Sequence, residues 1–212
     1  MVLASNSPRR RQLLGLITPD FKVIPADVDE THHLGEAPKA YVTRLAIEKA
    51  THVAARVGPN CLVVAADTTV VDGNQILGKP VDQAEAVRML RQLRGRIHQV
   101  HTGVAVAFQN EIWTVCCSTQ VPMRDYSDEE IQAYIASGDP LDKAGAYAIQ
   151  HADFRPVEEL VGCFANVMGL PLCHLATLLH ELGLPLGNSV SQACQRFLAY
   201  DCSISGMIPY AS

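Results

Sequence analysis

The segment Ser5-Asn6-Ser7-Pro8-Arg9-Arg10, between the apolar Val2-Leu3-Ala4 and Leu13-Leu14, has the makings of an anion site. Ser7 can cap a helix with its hydroxyl, and Pro8 suits the first helical position, where an N–H would have had no intrahelical partner. The amides at that helix end, the positive end of the dipole and the guanidiniums of Arg9 and Arg10 together favour phosphate oxygens. Arg9, Arg10 and Arg11 also stand where the dipole favours acids, so a negative group is expected to compensate them. The alternative is a plain capped helix start with basic residues at its wrong end.

Asp67 interrupts the apolar run Cys61 to Val71 and is followed by Thr68-Thr69, which reads as a strand end opening onto a crevice. An ionised carboxylate in a dry strand needs a cation, a metal or a set of donors. The alternative is an Asp bonded to backbone amides. Lys49 falls on the apolar stripe of a helix and Lys79 lies between Gly78 and Pro80, so both are candidates to point inward; snorkelling or a decorated turn is the alternative. Asp27-Val28-Asp29-Glu30 is either a solvated loop or a source of ligands. Glu30 and Asp67 are hard oxygen ligands for Mg²⁺ or Mn²⁺, and with Ser7, Arg9, Arg10, Lys49 and Lys79 they suggest metal-assisted attack of water on a phosphoanhydride.

The frame narrows the ligand. The chain has 212 residues with a net charge of −5, which argues against a nucleic-acid polymer as partner, so any nucleotide is expected to be a small molecule. No apolar run approaches about 18 residues and no leader pattern opens the sequence, so no membrane span and a cytoplasmic location are expected. Seven cysteines without a C-x-x-C pair read as reduced thiols, mostly inside apolar segments. His98 and His101, and the adjacent His32 and His33, lack partners at zinc spacing. Neither a P-loop nor a G-x-G-x-x-G is present.

Alternating strands and helices must position these groups, and the fold class is α/β: a mixed twisted sheet flanked by helices. Residues 37–57 form an amphipathic helix with Val42, Leu45, Ala46, Ala50 and Val53 on the stripe that also carries Lys49. Phe21 to Pro25 is a second strand candidate. Asp82 to Glu85 reads as a capping box for a helix that Gly95 ends, and Ser127 to Glu130 as a cleaner one before Ile131, Tyr134 and Ile135. Residues 97–108 and 111–122 form a hairpin around Gln109-Asn110. A helix through Leu172, Leu175, Leu178, Leu179 and Leu182 follows Gly169-Leu170-Pro171. Residues 1–186 are expected to form one domain, and 187–212 an extension of unassigned role with a short helix near 191–198 in an otherwise loosely held tail.

Several ordered motifs decide more than spacing can. Ser5-Asn6-Ser7-Pro8-Arg9-Arg10-x-x-Leu13-Leu14, Ala66-Asp67-Thr68, Gly78-Lys79-Pro80, His101-Thr102-Gly103 and the run Asp142-Lys143-Ala144-Gly145-Ala146-Tyr147-Ala148-Ile149-Gln150 resemble signature segments of the Maf family of nucleoside triphosphate pyrophosphatases, across about residues 2–185. The resemblance implies a fold like that of the inosine triphosphate pyrophosphatases (Maf/Ham), with two lobes and a central cleft. It implies a divalent metal, and cleavage of a nucleoside triphosphate to the monophosphate and pyrophosphate. By position, Asp67 matches the family's proposed proton acceptor. Arg9, Thr68 and Gln150 match positions associated with substrate preference, and Glu30, Lys49 and Lys79 match polar positions around metal and phosphates.

Arg9, Thr68 and the Ala-Gly-Ala-Tyr-x-Ile-Gln run resemble the branch acting on dTTP and UTP; the branch preferring 7-methyl-GTP usually has an aromatic at the Arg9 position and Gln at that of Thr68. After Gln150 the family commonly shows a Gly-rich stretch, whereas this chain reads His151-Ala152-Asp153-Phe154-Arg155 and on to Leu160 before rejoining at Gly162, a departure that bears on substrate choice. The resemblance also makes a homodimer an expectation. The alternative function is a nucleotide-binding regulator of cell division or septum formation that needs no turnover.

Overall fold

The run around Asp67 folds as strand β3 (Val63–Asp72), on which the rest of the sheet is built. The structure, a computed structural model, describes residues 1–184, 186 and 189–208. One edge of β3 is paired antiparallel along its length with β5 (Ile97–Phe108), which pairs in turn with β6 (Glu111–Pro122). The β5–β6 hairpin turns on Gln109 and Asn110, both at positive φ (52° and 66°), as a two-residue loop matched to strand twist requires. The other edge of β3 is shared. β1 (Val2–Leu3), with β2 (Lys22–Val23) beyond it, runs parallel to Val63 and Val64, and β4 (Gln75–Leu77) returns antiparallel to Val70, Val71 and Asp72.

Among the described residues, 65–69 therefore have no strand neighbour on that edge. Asp67 does not end the strand, as its sequence context suggested. It sits mid-strand opposite Gly103, because the β5 ladder continues through Val71. The crevice comes from the gap between β1 and β4.

The expected mixed α/β sheet, flanked by helices in two lobes around a cleft, is what the chain adopts. On one face, helix α2 (Pro38–Val57) packs Ala46, Ala50 and Val53 on Val63, Ala65 and Ala105. On the other, α1 (Pro8–Gly15) and α6 (Leu172–Glu181) cover Val64, Ala66, Val104 and Val106. Further along that face, α3 (Gln83–Leu93) and α4 (Asp128–Ala136) enclose a separate core with Val70, Val100, Val121 and Tyr126. The residues between the two cores, Thr68 and Thr102, are polar. The apolar surface is thus divided where the strand edge is open, and each part gathers its own helices.

Gly103 lets α2 approach: a Cβ there would lie 2.5 Å from the Val42 carbonyl oxygen. Ser127 and Glu130 form the expected reciprocal cap of α4. At α3 only half the box forms: Asp82 accepts from the Glu85 amide, but the Glu85 carboxylate accepts from Val81 instead.

Strand β4 and the one-turn helix α5 (Phe164–Met168) were not anticipated. The tail is a correction. Helix α7 (Val190–Leu198) sets Val190 and Cys194 into the core of α1 and α6, and Leu198 and Ile204 pack against it, so the tail is held through this stretch. Residues 187, 188 and 209–212 of the expected extension lie outside those described. Among the described residues no helix is long and apolar enough to cross a membrane.

Candidate active site

The open edge of β3 faces a cleft of about 570 Å³, within the ~300–1,000 Å³ of small-molecule sites. Ser7, Arg9, Arg10, Glu30, Lys49, Asp67, Thr68, Lys79 and Gln150 all line it. So do Tyr41, Asp142 and Lys143, which the sequence reading did not single out as site residues. Arg9, Arg10, Lys49, Lys79 and Lys143 oppose Glu30, Asp67 and Asp142, leaving the lining cationic in a chain of net charge −5. That contrast points to an anionic ligand.

Asp67 and Thr68 are consecutive on a strand, so their side chains leave opposite faces of the sheet. On the α2 face, Lys49 Nζ donates to Asp67 Oδ1 at 2.6 Å and lies 2.6 Å from Glu30 Oε1. Lys49 and Asp67 are buried, while the Glu30 side chain is 50% exposed toward the cleft. Burial alone would raise the Glu30 carboxyl pKa, but the hydrogen bond and charge of Lys49, with Lys79 and Arg10 behind it, hold it below its usual value. Tyr41 lies on the same helical stripe, eight residues before Lys49. Its hydroxyl donates to the Glu30 carbonyl at 2.9 Å, and burial, then Asp67 and Glu30, push its pKa to about 12.

The loop that carries Glu30 has no regular structure and is staked to α2. Arg44 grips Glu36 with Nε and Nη2 at 2.7 and 2.8 Å, and Nη2 also donates to the Thr31 carbonyl at 3.1 Å. This bidentate grip holds the Glu36 carboxyl at about 2.

On the other face, Arg10 Nη2 donates to Thr68 Oγ1 at 3.1 Å, its Nε to the Gly169 carbonyl at 2.8 Å, and its Nη1 to Ser5 Oγ at 3.3 Å. Burial lowers the Arg10 pKa from its ordinary value, with Asp67 opposing. Thr68 also shares a 2.9 Å hydrogen bond with Thr102, whose hydroxyl donates to the Asn166 carbonyl at 2.9 Å. Ser7 caps α1 by accepting from the Arg10 amide.

The three arginines part company. Arg11 is exposed and bonds Asn6, so its compensation is a loop carbonyl, not a phosphate. Arg9 lies 3.9 Å from Asp142, whose other oxygen accepts from the buried Lys143 at 2.6 Å. Lys143 Nζ also donates to the Asp139 carboxylate at 2.9 Å. A lysine flanked by Asp139 and Asp142 was the signal that could have found it. Lys79 and Gln150 are exposed at the cleft wall.

His98 and His101 lie on opposite faces of β5, bonded to Tyr147 Oη and Ser118 Oγ at 2.8 Å each. Among the described residues no group of three or more His, Cys, Asp or Glu is arranged to hold a metal. The Glu30–Asp67 pair still fits a hard divalent cation, since Mg²⁺ commonly takes one or two carboxylates and completes its shell with water and substrate phosphates. Glu30 Oε2 and Asp67 Oδ2 accept no hydrogen bond among the described residues, which leaves them available to it.

The chain matches the family model described as Maf-like protein over residues 1–182. It is 52% identical over 186 residues to a relative named dTTP/UTP pyrophosphatase from Myxococcus xanthus (strain DK1622), covering 88% of this chain and 94% of the relative. A protein of the same name from Cereibacter sphaeroides is 47% identical over 188 residues, covering 88% of this chain and 96% of that one. Among solved structures, the Staphylococcus aureus Ham1 protein is similar over 58% of this chain and 71% of its own, at 20% identity and a TM-score of 0.41.

Proposed function

The chain belongs to the Maf family, and from that premise we propose that it hydrolyses dTTP and UTP between the α- and β-phosphates, releasing the nucleoside monophosphate and pyrophosphate. The observation that supports this most directly is Lys49 joining Glu30 and Asp67, at 2.6 Å from each, at the open edge of a cation-lined cleft. The named activity of the relatives agrees with that chemistry.

In this reading the triphosphate enters with its phosphates among Arg9, Arg10, Lys79 and the Ser7-capped start of α1. These groups bind the ground state and, more strongly, the charge that builds on the pyrophosphate leaving group. Asp67, its Oδ1 fixed by Lys49, orients the attacking water and helps to deprotonate it. The water oxygen bonds to the α-phosphorus as the bridging P–O bond breaks, and the electron pair leaves on pyrophosphate. Glu30 and Asp67 would hold a Mg²⁺ or Mn²⁺ ion, which when bound lowers the pKa of water and neutralises phosphate charge. Arg9, Thr68 and Gln150 are the residues assigned to nucleotide preference, Gln150 through an exposed amide that can pair with a base edge. A cytoplasmic location suits a substrate of this kind.

The test is pyrophosphate release from dTTP, UTP, CTP, GTP, ATP and 7-methyl-GTP with Mg²⁺ or Mn²⁺, beside Asp67→Asn. Release from dTTP or UTP by the native chain alone is the expected result. A folded Asp67→Asn protein with native turnover would remove Asp67 from its role, and binding of nucleotide without any release would favour the regulator.

A further inference from the structure

Helix α5 is a weak element in a demanding place. It has five residues, far below the length at which a helix holds itself, and its N-cap acceptor is the Cys163 thiol, 3.3 Å from the Asn166 amide. Yet its Asn166 carbonyl receives Thr102, and the Gly169 carbonyl that ends it receives Arg10. Two of the hydrogen bonds that shape the cleft therefore hang on one turn of helix.

The tail grips the strand of backbone leading into that turn. Tyr200 Oη lies 2.8 Å from the Leu160 carbonyl and 3.1 Å from that of Gly162. Its ring packs on Phe164, the first residue of α5, with centroids 5.5 Å apart. The Cys202 thiol approaches the Gly162 carbonyl at 3.6 Å, and the Cys202 amide is held by Gln195 of α7 at 2.9 Å. α7 itself is rooted in the core through Val190 and Cys194, beside Ala165 and Met168 of α5.

We propose that residues 189–208, which lie beyond the family match, are a positioning element of the active site, with the Tyr200 hydroxyl holding the entry to α5 and through it Arg10 and Thr102. The proposal rests on the reading of the cleft as the triphosphate site. Tyr200 touches no substrate; it fixes the carbonyls against which substrate-binding side chains are braced.

Tyr200→Phe keeps the ring beside Phe164 and removes only the hydroxyl. The expected result is a rise in KM for dTTP of about 3- to 10-fold with kcat within about 2-fold, the size of one lost hydrogen bond. Faster amide hydrogen exchange across residues 164–170 should accompany it. Gln195→Ala, which loosens the Cys202 turn from α7, should move both readouts the same way by a smaller factor.

Unchanged exchange in Tyr200→Phe overturns the proposal. So does faster exchange with an unchanged KM, because the tail would then support the fold without positioning the site. If the native chain releases no pyrophosphate from any triphosphate, the functional reading fails. The tail is then judged by exchange together with the dissociation constant for dTTP, where the same loss of affinity is expected, and no change in that constant overturns it.

Discussion

Arg10 Nε donates to the carbonyl of Gly169 at 2.8 Å across 159 positions of sequence, at a backbone conformation that residues with a side chain rarely adopt. Gly169 has φ +107°, and a Cβ there would lie 3.1 Å from Thr68 Oγ1 and 3.3 Å from Arg10 Nε. The C-terminal end of α5, the first helix and the central strand are thus joined through the Arg10 guanidinium. The geometry sets a direct expectation for Gly169→Ala. Backbone strain and displacement of Arg10 should cost about 1–3 kcal/mol in a urea titration. The KM for dTTP should rise at the same time; a native KM would mean that the Arg10 position does not govern binding.

Lys49→Met should cut kcat/KM by about 100-fold, because it leaves Glu30 and Asp67 together without the cation between them. The sign of the accompanying pH effect follows from Glu30. Lys49 holds that carboxyl below its usual value, so the ionised form persists as pH falls. Without Lys49, protonation sets in at higher pH, and the acid limb of the kcat/KM profile should move upward. A profile that shifts downward would contradict the arrangement.

Gly103→Ala tests the packing of α2. Its Cβ would meet the Val42 carbonyl oxygen at 2.5 Å and the Thr43 amide nitrogen at 2.8 Å, both backbone atoms that no rotamer change can clear. The helix must shift away from β5, carrying Lys49 with it. A loss of about 3 kcal/mol or more is expected from denaturant unfolding, with activity reduced in whatever protein remains folded.

His98 sets part of the acid stability. Burial lowers its pKa from 6.5 to about 4, with nearby Asp72 opposing, and its Nδ1 has no hydrogen-bond partner among the described residues. The folded state therefore prefers the neutral ring while the unfolded chain takes up a proton below 6.5. Stability from this residue is present above that value and is lost as pH falls toward about 4, amounting to about 3 kcal/mol at ~1.36 kcal/mol per pH decade. In His98→Gln the slope of unfolding free energy against pH between 6.5 and 4 should flatten. An equal slope in both proteins would show that His98 titrates alike in the folded and unfolded chain.

Much of the site was legible in the residues. Ser7 and Pro8 mark a helix start whatever the rest of the chain does, since capping depends on local bonds alone. The stripe from Val42 to Val53 places Lys49 on the buried side of its helix, and a lone Asp67 in an apolar run demands a partner. Those local rules identified Ser7, Arg9, Arg10, Glu30, Lys49, Asp67 and Lys79, and the family resemblance added Thr68 and Gln150; all nine line one cleft. The same rules could not tell Arg10 from Arg11, because both follow the cap; only the position of Gly169 and Thr68 turns one inward. Nor could they find Lys143 or Tyr41, whose roles come from groups brought beside them by folding.

The sequence by itself determined the longer strands and helices, though not β4 or α5, and with them which face of each is apolar and which charges must find partners, because periodicity, capping and desolvation act within a few residues. Tertiary structure alone decided that β1 and β4 leave a gap along β3, so that Asp67 opens a crevice from mid-strand. It also decided that Lys49 spans Glu30 and Asp67, and that the tail braces α5. These depend on strand register and on contacts between segments distant in the sequence, where the energy of a pairing is fixed by geometry that no local pattern carries.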